Sequence, residues 1–271
     1  MTIIKNNWLT TNILDRLSDK KVAFRATFNP YKFVSQSFDT ECDLTAKEIN
    51  DKFKNLYVGL SGGTDSQYVC KVFLRNNVDF RTIVVLHSGN IEEGKLAIKF
   101  CNDYGITPTV IELSDLQVVT LLLSEVFTKY NGYGIYSIGS IVSQNYCQTH
   151  EGTLITGVNL IGEDELTIGF KYYLYECDFY TNSIPFFLYR IETSYEMVKA
   201  SEMYSNWIEV KQMLYKTNIA SKIYSKYPEH VNEILHEIQK IKLYPLSKEK
   251  RIHTLGSLDL MMKLLKFADN K

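Results

Sequence analysis

The stretch Leu60-Ser61-Gly62-Gly63-Thr64-Asp65-Ser66 decides the fold of this 271-residue chain. An apolar run at 56–60 leads into it, and a segment with apolar residues at helical spacing, 66–75, follows. Adjacent glycines leave room for an anion beside the backbone. The first turn of a helix offers unpaired N–H groups and the positive end of the helix dipole. The stretch therefore predicts a phosphate-binding loop between a buried strand and a helix.

The side chains of this loop extend the predicted anion site, so all six residues of 61–66 are expected to bind the ligand. The hydroxyls of Ser61, Thr64 and Ser66 can donate hydrogen bonds to phosphate oxygens beside the two glycines. A carboxylate next to a bare phosphate is unfavourable. Asp65 therefore predicts a divalent cation that bridges it to the phosphate oxygens.

Two other motifs compete for the same residues. The mononucleotide P-loop requires a lysine after its glycines, and none follows here. The sequence Gly59-Leu60-Ser61-Gly62-Gly63 does match the G-x-S-x-G nucleophile elbow of serine hydrolases, with Asp164 and His253 downstream. That fold usually forms several strands before its elbow, and the hydrolase interpretation leaves Asp65 unexplained. A serine hydrolase, or a glycine-rich turn without a ligand, stays open as an alternative.

Around the loop, buried strands alternate with helices. Apolar runs typical of strands covered on both faces occupy 56–60, 81–86, 109–113 and 153–156. Segments with helical spacing lie at 66–75, 92–104, 116–130 and 138–148. This order predicts an α/β fold, in which a parallel, Rossmann-like sheet carries helices on both faces.

The chain divides into three predicted parts. Residues 1–54 form a lead-in, where alternating apolar residues at 22–28 predict a strand that ends at Asn29-Pro30. Residues 55–190 form the α/β domain. Residues 191–271 are helical, with one apolar stripe from Met197 to Leu214 and a second at 231–238.

The hexapeptide at 61–66 resembles the SGGxDS signature of the PP-loop ATP pyrophosphatases, the adenine nucleotide alpha hydrolase-like superfamily, which includes NAD and asparagine synthetases and tRNA thiolation enzymes. The resemblance covers approximately residues 55–170. It implies a ligase-type enzyme that uses ATP and Mg²⁺ and releases pyrophosphate. A carboxylate, amide or carbonyl oxygen would be adenylated and then attacked by ammonia, an amine or a sulfur donor. The alternatives are a tRNA-modifying enzyme of the same superfamily and a nucleotide-binding module without turnover.

Two further segments carry the resemblance. The second predicted strand ends at Leu86 and His87, which the resemblance assigns to the adenosine. Gly157 opens the loop after the fourth strand, and the resemblance implies that it also binds the nucleotide. A single histidine after a buried strand is also typical of core packing, and this interpretation of His87 stays open.

The loop after the fourth strand contains acidic residues. The resemblance implies that Asp65 and one of Asp164 or Glu165 hold Mg²⁺, and the choice among Glu163, Asp164 and Glu165 stays open. Lys171 lies just beyond and would neutralise pyrophosphate, and a solvent-exposed lysine without this role is the alternative. The predicted catalytic residues are Asp65, Ser61 and Lys171.

Charge and cysteine content restrict the partners. The net charge is −1, which excludes a strongly basic arm or an acidic tail. Residues 199–271 hold 13 Lys and Arg against 8 Asp and Glu, a balance of +5. A solvated helical surface explains this excess most simply, and RNA contact is the alternative. The five cysteines show no C-x-x-C pair and suit reduced thiols in the cytoplasm. We expect no membrane segment. An amide-forming enzyme would use free ammonia, an amine substrate or a separate protein as the donor, and a separate protein is also an option for sulfur.

Overall fold

The computed structural model describes residues 34–123, 138–158, 183–204 and 207–217, and the backbone of two short strands at 9–11 and 26–28. Strand β1 (Leu9–Thr11) pairs antiparallel with β2 (Ala26–Phe28), so that Leu9 lies opposite Phe28. The last three residues of the strand predicted before Asn29 are thereby confirmed. The earlier residues of that prediction, 22–25, lie outside the described part of the chain.

A five-stranded parallel sheet forms the centre of the described structure. Its strands are β3 (Leu56–Gly59), β4 (Phe80–Leu86), β5 (Pro108–Glu112), β6 (Thr153–Thr156) and β7 (Ile184–Pro185). Their spatial order is β5-β4-β3-β6-β7, which confirms the four predicted strands and adds β7. The chain moves to opposite sides of β3, and open sheets bind ligands at the carboxyl edge of such a switch point.

Helices connect the strands. They are α1 (Phe38–Lys52), α2 (Thr64–Arg75), α3 (Ile91–Asp103), α4 (Asp115–Leu123), α5 (Ile138–Thr149), α6 (Phe186–Tyr189), α7 (Ile191–Met203) and α8 (Trp207–Tyr215). Helices α2, α3 and α5 confirm three predicted helices. The fourth prediction is confirmed as far as Leu123, and the rest of it, 124–130, lies outside the described residues.

Successive residues of β3 face two separate cores. Leu56 and Val58 belong to a large cluster with α2 and α3, whereas Tyr57 packs with Ile83 and with Cys147 of α5. Full burial of one such side chain contributes roughly 1.5–3 kcal/mol. Helices therefore cover both faces of the sheet, as an α/β layered fold requires.

Helix α1 has no counterpart in the predictions, because its buried stripe is made of small or isolated residues. Phe38, Cys42, Ala46 and Ile49 point into the large cluster, while the residues between them, apart from Leu44, are polar. The same cluster contains residues of 184–215. The predicted division at 54 and 190 stays a prediction, and the hydrophobic core crosses both positions.

The predicted C-terminal stripe divides into two helices. α7 ends at Met203, which is 70% exposed although the stripe predicted it inside, and α8 begins at Trp207. The second predicted stripe, at 231–238, lies outside the described residues. Within the described ranges, no helix combines the length and the apolar character needed to cross a bilayer.

Candidate functional site

The loop after β3 presents backbone donors at the carboxyl edge of the sheet. Gly62 has a φ of +84°, and Gly63 is the N-cap of α2. The first helical hydrogen bond runs from Gln67 N to Gly63 O at 3.2 Å. The N–H groups of Thr64, Asp65 and Ser66 come before this bond in the helix, so they have no intrahelical acceptor. These donors and the helix dipole suit an anion.

The buried hydroxyl of Ser66 braces this loop. Ser66 Oγ donates to Gly63 O at 3.1 Å and accepts from Ser61 N at 3.3 Å. Gln67 Nε2 donates to Gly62 O at 2.8 Å. In the structure this hydroxyl shapes the loop, and its contact with a phosphate stays a prediction. The exposed Ser61 Oγ lies 3.2 Å from Ser66 Oγ and accepts from Gly63 N at 3.3 Å.

Three strand ends that the sequence singled out come together here. A Cβ on Gly62 would lie 2.0 Å from the carbonyl oxygen of Glu93, at the start of α3. A Cβ on Gly157, just after β6, would lie 2.9 Å from Ser66 N. Glycine is thus required on both sides of the loop, because backbone fills the space a side chain would need.

The junction after β4 is closed by its own side chains. His87 N donates to Asn90 Oδ1 at 2.8 Å, and Asn90 Nδ2 donates to Val85 O at 2.8 Å. Gly89 N donates to His87 Nδ1 at 3.1 Å, which assigns the ring proton of a neutral imidazole to Nε2. His87 is 7% exposed, and burial lowers its pKa to about 4, against the opposing influence of Asp115. Near neutral pH it is an uncharged hydrogen-bond donor.

Leu86 lies at the end of β4 and contributes an apolar surface. A Cβ on Gly94 would lie 1.9 Å from its Cδ2 atom, so the side chain packs closely on α3. Its carbonyl oxygen accepts from Leu113 N at 2.8 Å. The Leu86 backbone is therefore engaged within the sheet.

Asp65 is held by two side chains of α8. Lys211 Nζ lies 2.6 Å from Asp65 Oδ2, and Tyr215 OH donates to Asp65 Oδ1 at 2.6 Å. Burial and the neighbouring Asp65 carboxylate raise the pKa of Tyr215 well above its ordinary value, which keeps it a donor. The Lys211 side chain is 6% exposed, and that of Asp65 24%.

Lys211 and Tyr215 are absent from the predicted site, although the sequence carries a signal for them. Trp207, Lys211 and Tyr215 are spaced at four-residue intervals, so they share one face of α8. A lysine on the same face as two aromatic residues indicates a buried cation with a partner. The partner lies 146 residues away in sequence, and spacing alone does not identify it.

The described residues do not fit a preformed Mg²⁺ site on Asp65. Both of its oxygens are bonded to protein donors, and no group of three or more His, Cys, Asp or Glu side chains in the described ranges could hold a metal ion. Asp164, Glu165 and the alternative Glu163 lie outside these ranges, as does Lys171. Mg²⁺ binding by Asp65 with these carboxylates stays a prediction.

Thiol chemistry has no support among the described cysteines. Burial raises the pKa of the Cys147 thiol to about 12, and it raises the pKa values of Cys42, Cys70 and Cys101 as well. Thiols with raised pKa values are poor nucleophiles. Cys177 lies outside the described residues.

Comparison with known proteins gives similar structures but no sequence relative. No family model matches the chain, and no curated protein matches its sequence. NMN synthetase from Francisella tularensis is 15% identical, with a TM-score of 0.39 over 80% of this chain and 100% of that one. The glutamine-dependent NAD+ synthetase from Acinetobacter baumannii, in complex with ADP, is 11% identical, with a TM-score of 0.40 over 90% of this chain and 46% of that one. The NH3-dependent NAD synthetase from Campylobacter jejuni subsp. jejuni NCTC 11168, in complex with nitrate, is 14% identical, with a TM-score of 0.33 over 86% and 92%. A likeness this distant assigns no activity or substrate to the present chain.

Proposed function

We propose that this chain binds ATP with its phosphates on the loop at 61–66 and cleaves it between the α- and β-phosphates. Pyrophosphate leaves, and the AMP moiety is transferred to a carboxylate, amide or carbonyl oxygen of an acceptor. Ammonia, an amine or a sulfur donor then displaces AMP. The observation that carries this proposal is the convergence of Gly62, Glu93 and Gly157 around the donors at the start of α2, at the switch point of the sheet.

Backbone groups supply the proposed transition-state stabilisation. Negative charge builds up on the pyrophosphate as it leaves, and fixed N–H groups at the start of α2 are oriented to receive it. The neutral His87, with its proton on Nε2, offers a donor at the adjacent strand end, where the adenosine is proposed to bind. The N–H groups at the start of α2 and the His87 ring thus both act as hydrogen-bond donors to the proposed nucleotide.

The serine-hydrolase alternative lacks its base in the described structure. The hydrogen bonds of Ser61 go to Gly63 and Ser66, not to a histidine. The remaining members of the suggested triad, Asp164 and His253, lie outside the described residues. Labelling of Ser61 by an active-serine phosphonate would favour that alternative and count against the ATP proposal.

The products of ATP turnover test the proposal. The chain is incubated with ATP, Mg²⁺ and a panel of carboxylate, amide and amine compounds, and the nucleotides are separated by chromatography. We expect AMP and pyrophosphate in equal amounts, with Ser61→Ala weakening ATP binding because it removes an acceptor for Gly63 N. ADP and phosphate would contradict the proposal. ATP binding without turnover on any acceptor would indicate a nucleotide-binding module.

RNA contact by residues 199–271 stays a prediction. Lys199, Lys211 and Lys216 each lie within ion-pair distance of a carboxylate. Their charges are therefore partly compensated within the protein. An RNA complex would weaken steeply with salt, because phosphate contacts release counterions.

A further inference from the structure

The pair formed by Asp65 and Lys211 changes the charge at the start of α2. A lone carboxylate in the first helical turn would repel phosphate from the N–H groups beside it. With the ammonium group 2.6 Å away, the pair is close to neutral and the positive end of the helix remains available. A buried lysine needs such a partner, because an unpaired charge in the interior is strongly destabilising.

Lys211 is fixed in place by its surroundings. Its Nζ atom lies 4.7 Å from the centre of the Trp207 ring, a cation–π contact. One turn further on, Tyr215 stacks on Tyr68 of α2 with ring centres 4.4 Å apart and donates to Asp65. Helix α8 is thus docked on α2, and its ammonium group stands at the position where a cation bound to Asp65 would lie.

We propose that Lys211 is the resident cation of the phosphate-binding loop. It compensates Asp65, so that the positive end of α2 binds the phosphate tail of the ligand without a divalent ion on Asp65. This inference rests on the proposed function, because it assumes that a pyrophosphate group occupies the loop. It adds to that function a positioning residue from α8.

Calorimetry with inorganic pyrophosphate as the probe tests the inference, in EDTA and in millimolar Mg²⁺. The wild-type chain is expected to bind in EDTA, and Lys211→Met is expected to bind about tenfold or more weakly there, since the uncompensated Asp65 carboxylate would repel the phosphate. Removing the ammonium also frees Asp65 to hold a metal. Mg²⁺ should therefore restore binding to Lys211→Met, which a purely structural role would not produce.

Two further variants serve as controls. Lys211→Arg keeps the charge and is expected to retain binding in EDTA within a few-fold. Lys199→Met removes an exposed lysine that pairs with Glu196 rather than with Asp65, and it matches the charge change. It is expected to leave binding unchanged. Should Lys211→Met not fold, pyrophosphate binding by the wild type and by Lys211→Arg in EDTA tests the inference.

The outcomes separate this inference from the proposed function. Binding by the wild type only in Mg²⁺ would overturn the inference and leave the proposed function standing. Equal binding by wild type and Lys211→Met in EDTA would do the same. Absence of pyrophosphate and ATP binding in both buffers would overturn both.

Discussion

The junctions after β3 and β4 lie side by side at the carboxyl edge of the sheet, and different side chains stabilise the backbone in each of them. Each joins a buried strand to a helix whose first turn leaves N–H groups without intrahelical partners. After β3, the Ser66 hydroxyl donates to Gly63 O and accepts from Ser61 N, and the Gln67 amide donates to Gly62 O. After β4, the Asn90 amide accepts from His87 N and donates to Val85 O, and the buried His87 imidazole accepts from Gly89 N.

The charges at the two helix starts differ as well. The first turn of α3 contains two carboxylates, those of Glu92 and Glu93, and Glu92 pairs with the exposed Lys95. The first turn of α2 contains one carboxylate, that of Asp65, and its charge is compensated by the buried Lys211. The side chains at the helix start after β3 are therefore close to neutral, and this start remains attractive to an anion. The strand order places both junctions at the carboxyl edge of the sheet, and the side chains around each junction decide which of the two attracts an anion.

The largest effect is expected where the two junctions touch. Gly62→Ala would place a Cβ 2.0 Å from Glu93 O at a φ of +84°, so the loop or α3 must move. We expect about 3 kcal/mol or more of destabilisation, together with loss of ATP binding. Urea unfolding and calorimetry measure the two effects.

A matched glycine separates the strain of a positive φ from the close contact with Glu93. Gly105 also has a positive φ, +68°, but a Cβ added there would meet no atom within 4 Å. Gly105→Ala should cost only the backbone strain, about 1–2 kcal/mol, and leave ATP binding intact. Equal effects of the two substitutions would mean that the contact between the junctions is unimportant.

The sequence predicted much of this arrangement, because the signals concerned are local. The glycines and serines at 61–66 place a loop between a strand and a helix, and four apolar runs place the strands. Helix α1 was missed because Cys42 and Ala46 form a weak stripe. The Asp65–Lys211 pair was missed because it depends on how α8 docks, and pairing between distant segments leaves no local pattern.

The junction after β4 makes a prediction on pH. His87 has a pKa of about 4 in the folded chain because it is buried, against an ordinary value of 6.5. Between these values the unfolded chain binds a proton that the folded chain does not, so the free energy of unfolding falls as the pH drops from 6.5 to 4. The loss from this group amounts to at most about 3 kcal/mol.

Urea unfolding across this pH range checks the prediction against His87→Asn. An asparagine oxygen can still accept from Gly89 N but does not titrate, so the variant should lack this part of the pH dependence. Carboxylates such as Asp39 and Glu48, whose pKa values are lowered, lose stabilisation at still lower pH in both proteins. Identical pH profiles would show that His87 protonates freely in the folded chain.

The smallest effects come from removing one brace in each junction, and they test whether the junctions bind different parts of one ligand. Ser66→Ala removes the bonds to Gly63 and Ser61, and Asn90→Ala removes those to His87 and Val85. Each is expected to lower the free energy of unfolding by about 1–2 kcal/mol. Only Ser66→Ala should weaken pyrophosphate binding, roughly tenfold for the loss of about 1.4 kcal/mol, because only its brace shapes the phosphate loop. Both should weaken ATP binding, since ATP adds an adenosine for the junction after β4. If Asn90→Ala weakened pyrophosphate as much as ATP, the division of phosphate and adenosine between the two junctions would be wrong.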